Sequence, residues 1–182
     1  LRLLGLLRSS NREKHSKTVI KTLNVRRAYN EIWQKCLESK SKICLILEDD
    51  ARLEEKAKQG LYKLLLDFQE LSEKGFGNLE LSKSYTLKEL GLDPSPQRAD
   101  SSTRSPRFLM DWAVTNTACA GAYSSEAINH LLSSSKGREK SKDFLVPIDV
   151  FVCRILNKSG LKSILLDEPP FHHLSNFRGV QV

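Results

Sequence analysis

Helix-spaced apolar patterns that alternate with short apolar runs predict an α/β sandwich on a mostly parallel sheet for this 182-residue chain. Two observations carry that expectation. The five residues Ile43 to Leu47 are all apolar, as in a strand covered on both faces, and they follow an amphipathic stretch, Thr22 to Glu38. Near the other end, Pro147 and Gly160 bracket a second amphipathic stretch that leads into a last strand, Lys162 to Leu166.

Each element has its own signal. Between Thr22 and Glu38, residues Val25, Ala28, Tyr29, Ile32, Trp33, Cys36 and Leu37 recur at intervals of three and four, one face of a helix. Trp33 is expected in the core, with a sugar-stacking platform as the alternative. Glu54 to Lys74 is a second helix with Leu61, Leu64, Leu65, Phe68 and Leu71 on one side, and Gly75 is placed to end it. Asn78 to Ser82 and Thr117 to Tyr123 read as strands, and Ser125 as the cap of a helix carrying Ala127, Ile128, Leu131 and Leu132. Three prolines between residues 91 and 107 mark a loop or insertion, and Ser133 to Asp143 a polar loop.

The length suits one domain, residues 1–182, with residues 1–20 poorly defined. The chain starts with Leu1, and its opening reads as a fragment or an N-terminally trimmed product. No apolar run approaches the roughly 18 residues that cross a bilayer. The formal charge of +7 is unevenly distributed. Residues 1–42 hold 11 Lys/Arg against 3 acidic residues, while residues 43–182 hold 18 against 19. The N-terminal excess is either a solvated helix face or an attraction for an anionic partner, with peripheral contact to an anionic membrane as one case. Nucleic acid is not expected, because the basic residues are not interleaved with aromatics as in a recognisable binding module. Cys36, Cys44, Cys119 and Cys153 have no zinc-type spacing and read as structural thiols of a reducing compartment.

The acidic run Glu48-Asp49-Asp50 directly follows the apolar run. Carboxylates at the carboxyl end of a buried strand stand where α/β proteins place their ligand crevice, and clustered hard oxygens suit Mg²⁺ or Mn²⁺. In an extended segment Glu48 and Asp50 face one side, toward a metal, and Asp49 the other, toward sugar or backbone donors. The alternative is that these residues open the next helix and compensate its dipole.

Taken in order, Trp33, Leu45-Ile-Leu-Glu-Asp-Asp50, Leu53, Tyr123-Ser-Ser-Glu-Ala127 and Val146-Pro-Ile-Asp149 resemble glycosyltransferase family 25 over about residues 22–172. That family includes bacterial lipopolysaccharide and lipooligosaccharide glycosyltransferases and is related to procollagen galactosyltransferases. Where its members carry a Ser-His pair about four residues before the helix Trp, this chain has Ala28-Tyr29.

The resemblance implies a Rossmann-like GT-A fold, here N-terminally incomplete. It also implies transfer of a sugar, a hexose, from a nucleotide-diphospho-sugar donor to a saccharide or glycolipid acceptor, with Mn²⁺ or Mg²⁺ bridging the diphosphate. Glu48 and Asp50 are the expected metal ligands and Asp49 the donor contact. His172, beyond the last strand, is expected to complete the metal shell or touch the diphosphate, or else to be an exposed histidine. Asp149 is the candidate base for the acceptor hydroxyl, with helix capping as its alternative role. The bacterial members imply the cytoplasmic side of the inner membrane, and the collagen-modifying ones the endoplasmic reticulum lumen. Two other functions compete: metal-dependent phosphoryl transfer, for which the sequence offers no Gly-rich phosphate loop near the strand, and a truncated or inactive relative acting as a binding module.

Overall fold

The computed structural model describes residues 2–83, 98–99, 107–111, 113, 119–136, 146–166 and 168–173, and within that set the side chains of residues 19–82, 109–111, 113, 119–136, 146–166 and 168–172. The first helix pattern belongs to a longer helix, α1 (Arg2–Glu38), which includes most of the N-terminal stretch left undefined by sequence. Strand β1 (Ile43–Leu47) follows a turn at Lys40, and then β2 (Ala51–Leu53), a single 3-10 turn (Glu55–Ala57) and α2 (Lys58–Ser72). After α2 come β3 (Phe76–Glu80), β4 (Ser82–Lys83), β5 (Arg98–Ala99) and β6 (Arg107–Met110). The chain continues through β7 (Ala120–Ser124), α3 (Ser125–Ser135), α4 (Ile148–Lys158), β8 (Lys162–Leu166) and β9 (Phe171–His173). The expected loops at 91–107 and 133–143 lie largely outside the described residues. Inside them, β5 and the start of β6 occupy part of the first, and α3 continues through Ser135 in the second.

Six strands form the main sheet in the order β1-β7-β3-β8-β6-β5, and β2, β9 and β4 form a small second sheet. The main sheet is mixed rather than mostly parallel: of its five described pairings β3 with β8 is parallel and the other four are antiparallel. Apolar runs of four or five residues report burial and not direction, so parallel pairing was never fixed by the pattern. One face of the sheet carries α1, α3 and α4 around Trp33, Tyr123, Ile128, Leu131 and Leu156. The other carries α2, whose Phe68 packs with Leu79, Ala122 and Ile164. The result is a three-layer α/β arrangement, each layer burying one stripe or face.

Strand β1 differs from its expectation. It is an edge strand paired only with β7, from Ile43↔Ser124 to Leu47↔Ala120. Cys44 and Ile46 enter the core, while Leu45 and Leu47 on the opposite face remain 39% and 43% exposed. The physical reason is the reach of α2, which packs over β3 and β7. Other local signals stand with small shifts. Gly75 and Gly160 adopt positive φ after α2 and α4. The cap of α3 is Ser124, one residue before the expected Ser125, its hydroxyl accepting from the Ala127 amide at 3.1 Å.

Candidate active site

The carboxyl end of β1 meets the amino end of β7 and the carboxyl end of β3 at one edge of the sheet. There the Glu48 amide donates to Cys119 O at 2.8 Å, so the chain stays in register for one residue past the strand. It then turns: the Ala51 amide donates to Glu48 O at 3.1 Å, closing a four-residue turn through Asp49 and Asp50. The acidic run is therefore a turn and not an extended segment. Nor does it open a helix, because β2 intervenes before α2.

This turn forms the floor of a cavity of about 770 Å³. Glu48, Asp49 and Asp50 line it from β1, Lys21, Thr22, Val25, Ala28, Tyr29 and Ile32 from α1, and Pro147, Ile148 and Asp149 from the start of α4. Sequence reasoning put Val25, Ala28 and Ile32 on the core-facing side of α1. In the fold Val25 and Ile32 both pack against the core and border the cavity, Ala28 borders the cavity, and Tyr29 and Trp33 are buried in the core beside Phe151, Tyr29 also reaching the cavity. Carboxylates about one hundred positions apart in the chain thus share one cavity. Its lining has four carboxylates against the single ammonium of Lys21, so an anionic ligand enters only with cations to offset the repulsion.

Beneath the floor lies a buried polar layer. Tyr29, 4% exposed, donates its hydroxyl to Glu48 Oε1 at 3.3 Å. Burial raises the Tyr29 phenol far above its ordinary value, and the neighbouring Tyr123 and Glu48 act in the same direction. Tyr123 is shifted the same way by burial and by the charges of Glu80, Glu48 and Asp149. Its ring lies over Gly121, where a Cβ would stand 3.0 Å from the ring and 3.1 Å from the hydroxyl. A glycine is required there because the tyrosine occupies the space of a side chain. Burial, then Asp50, Glu48 and Glu80, push the Cys119 thiol up to about 12. Glu80 itself is buried on β3 and accepts from the Ser82 hydroxyl at 3.2 Å.

Asp149 stands in the first turn of α4, after Pro147, which supplies no side-chain cap. Its Oδ1 accepts from the Val150 amide at 2.8 Å, so the carboxylate meets the cavity and the helix start together. His172 lies elsewhere. It is on β9, register-paired with Arg52 of β2, its Nε2 against Glu54 Oε1, and it is not among the residues lining the cavity. The His172 ring and the Lys56 ammonium hold Glu54 below the usual carboxylate range. Among the described residues no three His, Cys, Asp or Glu side chains gather as a metal-holding group. The acidic turn brings the carboxylates of Glu48, Asp49 and Asp50 to the cavity, hard oxygen donors of the kind that Mg²⁺ and Mn²⁺ prefer.

Three residues around the cavity escaped sequence reasoning. Lys21 and Thr22 stand one turn before Val25 on the same side of α1, a helical spacing that could have placed them. Glu80 alternates with Leu79 and Leu81, a polar position inside a strand buried along its whole length.

The fold and the cavity define an α/β protein with an acidic cavity at the end of a strand. The family model described as glycosyltransferase family 25 (LPS biosynthesis protein) matches residues 29–94, from Tyr29 through the acidic turn, α2 and β3. No curated protein matches the chain. The match includes the floor of the cavity and ends before Asp149.

Proposed function

We propose that this chain is a glycosyltransferase of lipopolysaccharide or related glycan biosynthesis. It moves a hexose from a nucleotide-diphospho-sugar to a saccharide or glycolipid acceptor and requires Mn²⁺ or Mg²⁺. The observation that carries the reading is the convergence of Glu48, Asp49, Asp50 and Asp149 on one cavity whose floor falls within the family match. The negative balance of the lining supports a bridging cation, because a diphosphate placed there alone would be repelled.

In this reading Glu48 and Asp50 hold the metal, which when bound offsets the charge developing on the leaving diphosphate. Tyr29 fixes one Glu48 oxygen from below, and its raised pKa keeps it a hydrogen-bond donor throughout the neutral range. Asp49, exposed at the tip of the turn, meets the donor's hydroxyls. Asp149 accepts the proton of the acceptor hydroxyl from the wall formed by α4. The apolar stretch Val25, Ala28 and Ile32 along α1 excludes water beside it. Among the described residues no helix is long and apolar enough to cross a membrane. In this reading a glycolipid acceptor is met at a membrane surface, on the cytoplasmic side in a bacterial setting.

The test is nucleotide release from a panel of UDP-, GDP- and CMP-linked sugars with Mn²⁺ or Mg²⁺, with and without saccharide acceptors. Release from at least one donor, abolished by chelator and reduced about 10²- to 10⁴-fold in Asp149→Asn, is expected. Metal-dependent binding without any release would favour a binding module, and neither binding nor release would sink the transferase reading.

A further inference from the structure

Arg26 is one of the 11 Lys/Arg in the basic N-terminal stretch, yet the fold buries it to 1% exposure. Its Nη2 donates to Val146 O at 2.9 Å, linking positions 120 residues apart. Its guanidinium carbon lies 3.5 Å from the centroid of the Phe151 ring. Burial lowers its pKa to about 10, which leaves it cationic at neutral pH.

The two contacts bracket the start of α4. Val146 immediately precedes that start, Phe151 closes its first turn by donating its amide to Pro147 O at 2.9 Å, and Asp149 lies between them. The same contacts continue toward the acidic turn. Phe151 stacks on Trp33 at 6.2 Å, Trp33 meets Tyr29 edge-on at 5.7 Å, and Tyr29 donates to Glu48. Arg26, Tyr29 and Trp33 occupy one side of α1, at intervals of three and four. One helix face therefore holds both halves of the cavity.

We propose that Arg26 is a positioning residue that sets the place of the α4 start, and with it Asp149, relative to Glu48. Its consequence for turnover rests on the transferase reading of the cavity. The planar guanidinium is suited to the task because it lies flat on a ring while donating in its own plane; an ammonium offers a point charge instead.

The experiment compares wild type, Arg26→Met and Arg26→Lys in the full chain, alone and combined with Asp149→Asn. Hydrogen exchange is followed at the Phe151 amide and at α3, together with kcat for nucleotide release from the donor panel with Mn²⁺. Arg26→Met is expected to raise exchange at Phe151 at least 10-fold while α3 is unchanged, and to lower kcat about 10- to 100-fold with KM within about 3-fold. In the Asp149→Asn background the same change is expected to lower kcat no further, because the lost placement has nothing left to act on. Arg26→Lys is expected to recover part of the protection and to turn over about 3- to 10-fold below wild type. Where Arg26→Met does not fold, Arg26→Lys decides alone, and wild-type exchange and turnover in that variant overturn the proposal. Equal losses in both Asp149 backgrounds, or exchange at α4 unchanged, also overturn it. A wild type that releases no nucleotide from any donor sinks the transferase reading, while the exchange comparison still decides whether Arg26 holds the start of α4.

Discussion

Removing the Tyr29 hydroxyl tests a hydrogen bond between α1 and the acidic turn. Tyr29→Phe keeps the ring against Trp33 and deletes the donor to Glu48 Oε1. A hydrogen bond to a charged acceptor contributes about 1.5–3 kcal/mol when short and well aligned. At 3.3 Å this one is long, and Glu48 is half-buried, so water can replace part of the loss. The expected destabilisation is therefore about 1 kcal/mol, a shift in melting temperature of about 2–4 °C for a chain of this size. The assay is urea unfolding of wild type, Tyr29→Phe, Glu48→Gln and the double variant, which separates the pair from the rest of each residue's contacts. A coupling near 1 kcal/mol is expected. Because burial raises the Tyr29 pKa, it remains a donor and its share of the coupling should not fade between about pH 6 and 9. A coupling indistinguishable from zero would refute the idea that α1 restrains the acidic turn through this bond.

Three further outcomes are expected. Glu54, held low by His172 and Lys56, contributes stability fully present above its unfolded value of 4.5 and lost as pH falls through its lower folded value. Urea midpoints of Glu54→Gln should accordingly fall below wild type by the equivalent of at most about 1 kcal/mol near pH 6.5 and converge with it once pH has fallen through that lowered folded value. Cys119, buried and pushed up to about 12, should resist iodoacetamide at pH 8 in the folded chain and react once urea unfolds it; labelling at the rate of a free thiol would contradict its placement. Gly121→Ala puts a methyl group against the Tyr123 ring and should cost about 1–3 kcal/mol in unfolding free energy, whereas Gly121→Ala with Tyr123→Phe should recover part of it, since one of the close atoms is the hydroxyl.

The elements that sequence located best are those whose apolar spacing and stop residues agree. The α4 segment was legible from Pro147, which precedes it as the cap, and Gly160, which follows it, and β8 after it was legible to the residue. What periodicity could not supply is pairing. Ile43 to Leu47 looks the same as an edge or a centre strand, and only the limited reach of α2 leaves Leu45 and Leu47 exposed. Glu48, Asp49, Asp50 and Asp149 were singled out from the sequence, and the fold brings all four to one cavity. His172 was placed by its position beyond the last strand, and nothing in the sequence reveals that β9 pairs with β2 and turns its ring to Glu54. Arg26 was illegible for a related reason: a buried arginine and a solvated one look alike until the carbonyl and ring that receive it, 120 and 125 residues later, are in view.

The central claim is that the acidic turn binds a metal together with a nucleotide-diphospho-sugar. Thermal melting of wild type and Asp50→Ala, with Mn²⁺ and each nucleotide sugar of the panel, tests it most directly. Ligand at about 100 times its Kd stabilises by about 2.7 kcal/mol, so at least one donor should raise the wild-type melting temperature by about 5–10 °C, only with metal present, and leave Asp50→Ala unmoved. A wild type that no donor stabilises, or an Asp50→Ala variant that shifts as far as wild type, would contradict it.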